Sequence, residues 1–200
     1  MFDEYMNLFS GAVSRTAEHG FGMNEYGRLK LKPSKKKYSS PENKEGLLKH
    51  FFRCLGNVKA EDINSRSAIE LLIIFKPYLE DYLDVSTMIT IGGLDYKGIK
   101  TIQFGEKEIE ALHYKIIPEY RSVNVHVWLT LPTTEIIDIS YLEIVNNQRG
   151  LPFKSQAEFE YIFDKIDNIY MNEHFTYKPM LVGVDSLNKL NLIKYKDQLI

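Results

Sequence analysis

The chain has 200 residues, 44% of them hydrophobic and 26% charged, with 27 acidic against 25 basic side chains and a formal net charge of −2. That composition suits one folded domain and excludes a largely disordered chain or a fibrous repeat. It also lacks the strong basic excess of a dedicated nucleic-acid binder.

No apolar run approaches the roughly 18 residues of a membrane-spanning helix. The start, Met-Phe-Asp-Glu-Tyr, carries acid where a secretory signal carries base, so a cytoplasmic location is expected and no membrane partner. Cys54 is the only cysteine, which removes any internal disulfide and any thiolate-rich zinc site. Residues 1–50 hold nine Lys/Arg against six Asp/Glu, leaving −5 on the remainder. Much of this excess lies in Arg28 to Lys37, RLKLKPSKKK. Such a run can grip phosphates, but Pro33, the serines and Pro41 give it the character of a solvated linker. The expected organisation is therefore an N-terminal helical segment with a basic linker over 1–40, followed by an α+β domain over 41–200.

Residues 2–18 are compatible with a helix. In Pro41 to Leu55 the residues Leu47, Leu48, Phe51, Phe52 and Leu55 recur at helical spacing, and Gly56 follows as a stop. Ser67-Ala-Ile-Glu70 fits a capping box, in which the serine and glutamate satisfy free amides at a helix start. The helix that follows is apolar nearly all round from Ala68 to Phe75, which implies burial on most sides, with a kink at Pro77.

After Asp84 the pattern turns to strands. Ser86 to Ile91 is β-branched and is expected to end at Gly92-Gly93; Leu112 to Ile117 reads as a second strand, with Ile99 to Phe104 its partner. Val123 to Leu131 alternates cleanly, setting Asn124, His126, Trp128 and Thr130 on one face. Pro132-Thr-Thr then turns the chain into Glu135 to Ile139, a hairpin. Ser155 to Tyr170 is expected as a helix and Tyr177 to Val184 as a late strand. Helices followed by an antiparallel sheet define an α+β class.

His126 and Asp138 fall on consecutive strands of this hairpin, where pairing brings the carboxylate near the imidazole. A carboxylate in that position orients a histidine for general-base work. The stretch His126-Val-Trp-Leu-Thr-Leu-Pro-Thr-Thr-Glu-Ile-Ile-Asp138 resembles the His-x-Trp … Ile-Ile-Asp segment of the transglutaminase-like superfamily of papain-fold proteins. That resemblance implies a buried helix packed on an antiparallel sheet, with a cysteine nucleophile at the helix start facing the histidine and aspartate. Here Ile63-Asn64-Ser65-Arg66-Ser67 stands in the cysteine's place. Ser65 is the best positional match, Ser67 the alternative, and Cys54 the only thiol. A serine lacks an accessible anionic form near neutral pH, so a site shaped for a thiolate loses most of its activity. Cys54 lies toward the end of the preceding helix, where the dipole raises a thiol pKa.

The expectation is a catalytically degenerate member binding a protein or small ligand in the ancestral cleft. The alternative is an acyl-transferring or amide-hydrolysing enzyme that uses Ser65 or Cys54 with His126 and Asp138. Asn124, Trp128 and Ser67 are the candidate ligand-binding residues, Asn124 as an oxyanion donor and Trp128 as a wall. No cofactor is expected, and His19, His50, His113 and His174 share no metal-ligand spacing.

Overall fold

A computed structural model describes residues 2–22, 31–32, 36–55, 68–114, 124–139 and 161–193. The order is α1 (Phe2–Glu18), α2 (Pro41–Leu55), α3 (Ala68–Leu83), β1 (Met88–Tyr96), β2 (Ile99–Ile102) and α4 (Glu106–His113). There follow β3 (His126–Thr130), β4 (Glu135–Asp138), β5 (Ile162–Lys165), α5 (Ile166–Glu173), β6 (Phe175–Val182) and α6 (Val184–Lys189). The six strands form one antiparallel sheet in the order β2-β1-β3-β4-β5, with β6 also paired to β1. The class is α+β. None of the described helices is long and apolar enough to cross a membrane.

Strand alternation sends side chains to two different cores. Val127, Leu129, Ile89, Ile91, Ile137 and Phe163 point to a first face, covered by α2, α3, α4 and α6 through residues such as Phe51, Leu72, Ile109 and Leu187. Trp128, Met88, Leu94, Ile136, Ile162 and Tyr177 point to a second, covered by α1 and α5. The sheet is thus the middle of three layers. On α1 the buried residues Tyr5, Phe9, Ala12 and Thr16 lie four, three and four apart, the stripe of an amphipathic helix. Arg15 donates to Met180 O at 2.9 Å and Thr16 Oγ1 accepts from Val182 N at 2.9 Å, so α1 also satisfies backbone groups of β6. The segment expected to precede the domain supplies the roof of one sheet face.

Three sequence expectations change. β1 does not stop at Gly92-Gly93 but runs through both to Tyr96. The glycines mark close approach rather than an end. A Cβ on Gly92 would stand 2.0 Å from Lys178 O and 3.1 Å from the Trp128 ring, and one on Gly93 would stand 2.8 Å from Ile102 O. Because a backbone carbonyl cannot swing aside as a side chain can, Gly92→Ala is expected to cost about 2–3 kcal/mol, read as a shift in the urea midpoint.

The strand expected over Leu112 to Ile117 is not formed: Leu112 and His113 end α4, which starts after Gly105 with Glu108 accepting from the Gly105 amide at 2.9 Å. Lys115 to Ile117 lie outside the described residues, and Ile99–Ile102 pairs with β1 instead. The helix expected over Ser155 to Tyr170 is instead β5 and then α5, with Ser155 to Glu160 outside the described residues. Ile162, Phe163 and Ile166 satisfy helical spacing, but Ile162 and Phe163 pair with Asp138 and Ile137 and face opposite cores. Pairing overrode periodicity. The apolar run of α3 is covered on most sides, as expected: none of residues 69–75 is exposed. Leu71, Leu72, Phe75, Leu79 and Leu83 face the first core, Ile73 and Ile74 are half-buried, and Tyr78 is exposed. Pro77 sits within the continuous helix.

Candidate functional site

The β3–β4 hairpin pairs Leu129 with Ile137 and Thr130 with Ile136, a register that sets Asp138 beside Trp128 and diagonally across from His126. The imidazole closes that diagonal: His126 Nε2 hydrogen-bonds Asp138 Oδ2 at 2.7 Å. Tyr177 of β6 donates its hydroxyl to the same Oδ2 at 2.7 Å. Gly92 of β1 lies between these strands, paired with His126 on one side and Pro179 on the other. Lacking a side chain there, β1 lets the rings of His126, Trp128 and Tyr177 gather above it, their centroids 5.0–5.8 Å apart. A contact between β3 and β6 is thereby made over the strand that separates them.

The node is sealed. His126 is 2% exposed and Asp138 0%. Beside it Trp128 Nε1 donates to the Tyr5 hydroxyl at 3.0 Å, Tyr5 bonds Thr130 Oγ1 at 2.8 Å, and Thr130 bonds Thr90 Oγ1 at 2.8 Å. This chain of donors pins α1 to β3 and β1. Burial pushes the Tyr5 phenol well above its ordinary pKa, outweighing the lowering effect of its bonds to Thr130 and Trp128. Tyr5 therefore stays a neutral hydroxyl at any physiological pH.

The expected residues divide. His126 and Asp138 are brought together, and Trp128 packs on the imidazole. Asn124 is exposed and lies just ahead of β3. Ser65 and Ser67 lie outside the described residues; Cys54 is in α2, as expected, with its side chain outside the described part. The described length of α3 packs on the first sheet face, whereas the His126–Asp138 couple lies on the second, the face of Trp128 and Tyr177. The sheet stands between the described body of α3 and the imidazole, and residues 56–67 ahead of α3 lie outside the described residues. Among the described residues no group of three or more His, Cys, Asp or Glu side chains could hold a metal ion.

One polar centre was not legible in the sequence. Glu135, 0% exposed, accepts from Tyr38 N at 2.9 Å, Ser39 N at 2.7 Å and Thr133 Oγ1 at 2.6 Å. Lys32 N donates to Pro132 O at 2.8 Å, so the described parts of the basic run and the residues after it are clasped to the β3–β4 turn. Lys37 and Lys44 lie 3.6 and 3.3 Å from Asp164. Burial opposes ionisation of Asp164, but the Asn168 amide, the Lys165 N–H and Lys44 together outweigh it and hold its carboxyl below the ordinary range. An acid at a strand start is usually solvated, so the pattern around Glu135 carried no sign of this role.

This is a three-layer α+β protein whose central sheet carries a buried His–Asp–Tyr node. No family model, curated protein or solved structure matches the chain.

Proposed function

We propose that the chain works as a non-catalytic binding module for a protein or small ligand, and that His126 and Asp138 serve the sheet rather than a reaction. The observation that carries this reading is the burial of the couple: His126 is 2% and Asp138 0% exposed, with Asp138 Oδ2 shared between His126 and Tyr177. A general base must come within hydrogen-bond reach of the proton it takes, so it needs a face open to substrate. The 2.7 Å His–Asp contact is the orienting contact that the acyl-transfer reading requires. The same contact in a dry sheet is what cross-strand packing of a buried histidine requires, because an unpaired imidazole there costs free energy.

The two readings differ in what chemical probes find. Native protein treated with a serine-directed fluorophosphonate or a thiol-directed iodoacetamide is expected to show no labelling that depends on His126. Stoichiometric labelling of Ser65, Ser67 or Cys54 that is lost in His126→Gln, at a temperature where that variant remains folded, overturns the proposal in favour of the enzyme.

A further inference from the structure

Two imidazoles meet where α1 and α4 end. The first of these helices closes in a Schellman turn: Gly20 takes a φ of 68°, its amide donates to Ala17 O at 2.9 Å, and the Phe21 amide returns to Thr16 O at 3.0 Å. Phe21 stacks on His19 at 5.5 Å and belongs to the first core, where it is 3% exposed. His113, in the last turn of α4, packs on the same Phe21 ring at 5.4 Å and stands 5.9 Å from His19. An aromatic wedge touching both histidines thus fastens the end of α1, which roofs the second core, to a helix that covers the first.

The charges at this contact balance only while the imidazoles are neutral. Arg15 Nε lies 2.8 Å from Glu106 Oε2, and His19 Nε2 bonds Glu106 Oε1 at 3.0 Å. A proton on His19 therefore meets a carboxylate already matched by a guanidinium. A proton on His113 then sets two like charges 5.9 Å apart, inside the Debye length of about 8 Å. Water screens the other acids beside the pair: Glu18 precedes His19 and Glu110 lies one turn before His113, and both are exposed. Asp185 of α6 occupies the space a Cβ on Gly22 would take, so it faces the chain just beyond Phe21. Tyr114, with its ring 5.0 Å from His113, brings a phenol, which carries no charge where imidazoles titrate. The His19 side chain is only 17% exposed, so solvent relieves its charge poorly.

We propose that this contact is an acid-released latch. Charging of His19 and His113 between about pH 7.5 and 5.5 drives the end of α1 from α4 and draws Phe21 out of the first core. The release is local, because Arg15 and Thr16 hold α1 to β6 just before the turn, through Met180 O and Val182 N.

Hydrogen exchange of the full chain at pH 7.5 and 5.5, followed by mass spectrometry and scaled for the intrinsic pH dependence of exchange, tests the latch. Residues 17–22 are expected to lose protection by about fivefold at the lower pH, while the β1–β3 ladder keeps its own. His113→Gln leaves one imidazole at the contact and is expected to hold the change at 17–22 within about twofold. Glu106→Gln removes the carboxylate that His19 bonds and is expected to enlarge the change, which keeps the test decisive even if His113→Gln loosens the turn at both pH values. Protection at 17–22 that is the same at both pH values overturns the proposal. A loss shared equally by the ladder does so too, because it marks general acid destabilisation. So does an effect that neither His113→Gln reduces nor Glu106→Gln enlarges, since another group then titrates.

Discussion

Asp138→Ala is expected to destabilise the protein by about 3–5 kcal/mol, the range for breaking a buried hydrogen-bonded pair by removing one partner. The size follows from how the carboxylate is used. Its Oδ2 accepts from both His126 and Tyr177, at 2.7 Å each, with all three residues at most 2% exposed. Removing it strips an acceptor from two buried donors, each costing about 1–3 kcal/mol when left unsatisfied. Asp138→Asn keeps a carbonyl oxygen in place and is expected to cost about half as much. Urea unfolding followed by tryptophan fluorescence reads both directly, because Trp128 is the chain's only tryptophan and its ring stacks on His126 at 5.6 Å. A loss below about 1 kcal/mol for Asp138→Ala is the result a solvated, site-facing carboxylate gives, and it removes the structural role assigned to the node.

The node also shows where a sequence can be read and where it stops. Alternation from Val123 to Leu131 placed His126, Trp128 and Thr130 on one face, and the turn at Pro132-Thr-Thr set the pairing that brings Asp138 to the imidazole. Both follow from local periodicity. Which face of the sheet a helix covers does not. The apolar run Ala68 to Phe75 announces burial without saying against what, and the structure lays it on Val127 and Leu129 rather than on Trp128. The third member, Tyr177, joins from β6 across β1, 39 residues from Asp138, through a gap that exists because position 92 has no Cβ. No spacing rule carries that information. The glycine pair does carry part of it, since glycine inside a strand pattern signals a close approach as readily as an end.

The same limit hid the second large effect. Glu135→Ala is expected to cost about 3–5 kcal/mol and to loosen residues 36–40 together with the start of α2. The buried carboxylate is the acceptor for the Tyr38 and Ser39 amides and the Thr133 hydroxyl. An alanine leaves all three donors without it, and a methyl group offers no acceptor in exchange. Glu135→Gln preserves the shape but exchanges one acceptor oxygen for a donor that faces other donors, so it should recover only part of the loss. The two variants separate a clasp from a passive filler of space. If packing alone mattered, Gln would restore stability in full, whereas a clasp stays weakened. Hydrogen exchange localises the effect: the Tyr38 and Ser39 amides should lose protection in both variants before the β1–β3 ladder does. Uniform loss across sheet and strap, or none at Tyr38 and Ser39, shows that Glu135 does not hold the strap. Because Tyr38 packs in the first core beside Leu47 and Phe51 of α2, a released strap must also uncover apolar surface on that face. Increased binding of a hydrophobic dye by Glu135→Ala, with native-like far-ultraviolet circular dichroism, is therefore the expected companion result.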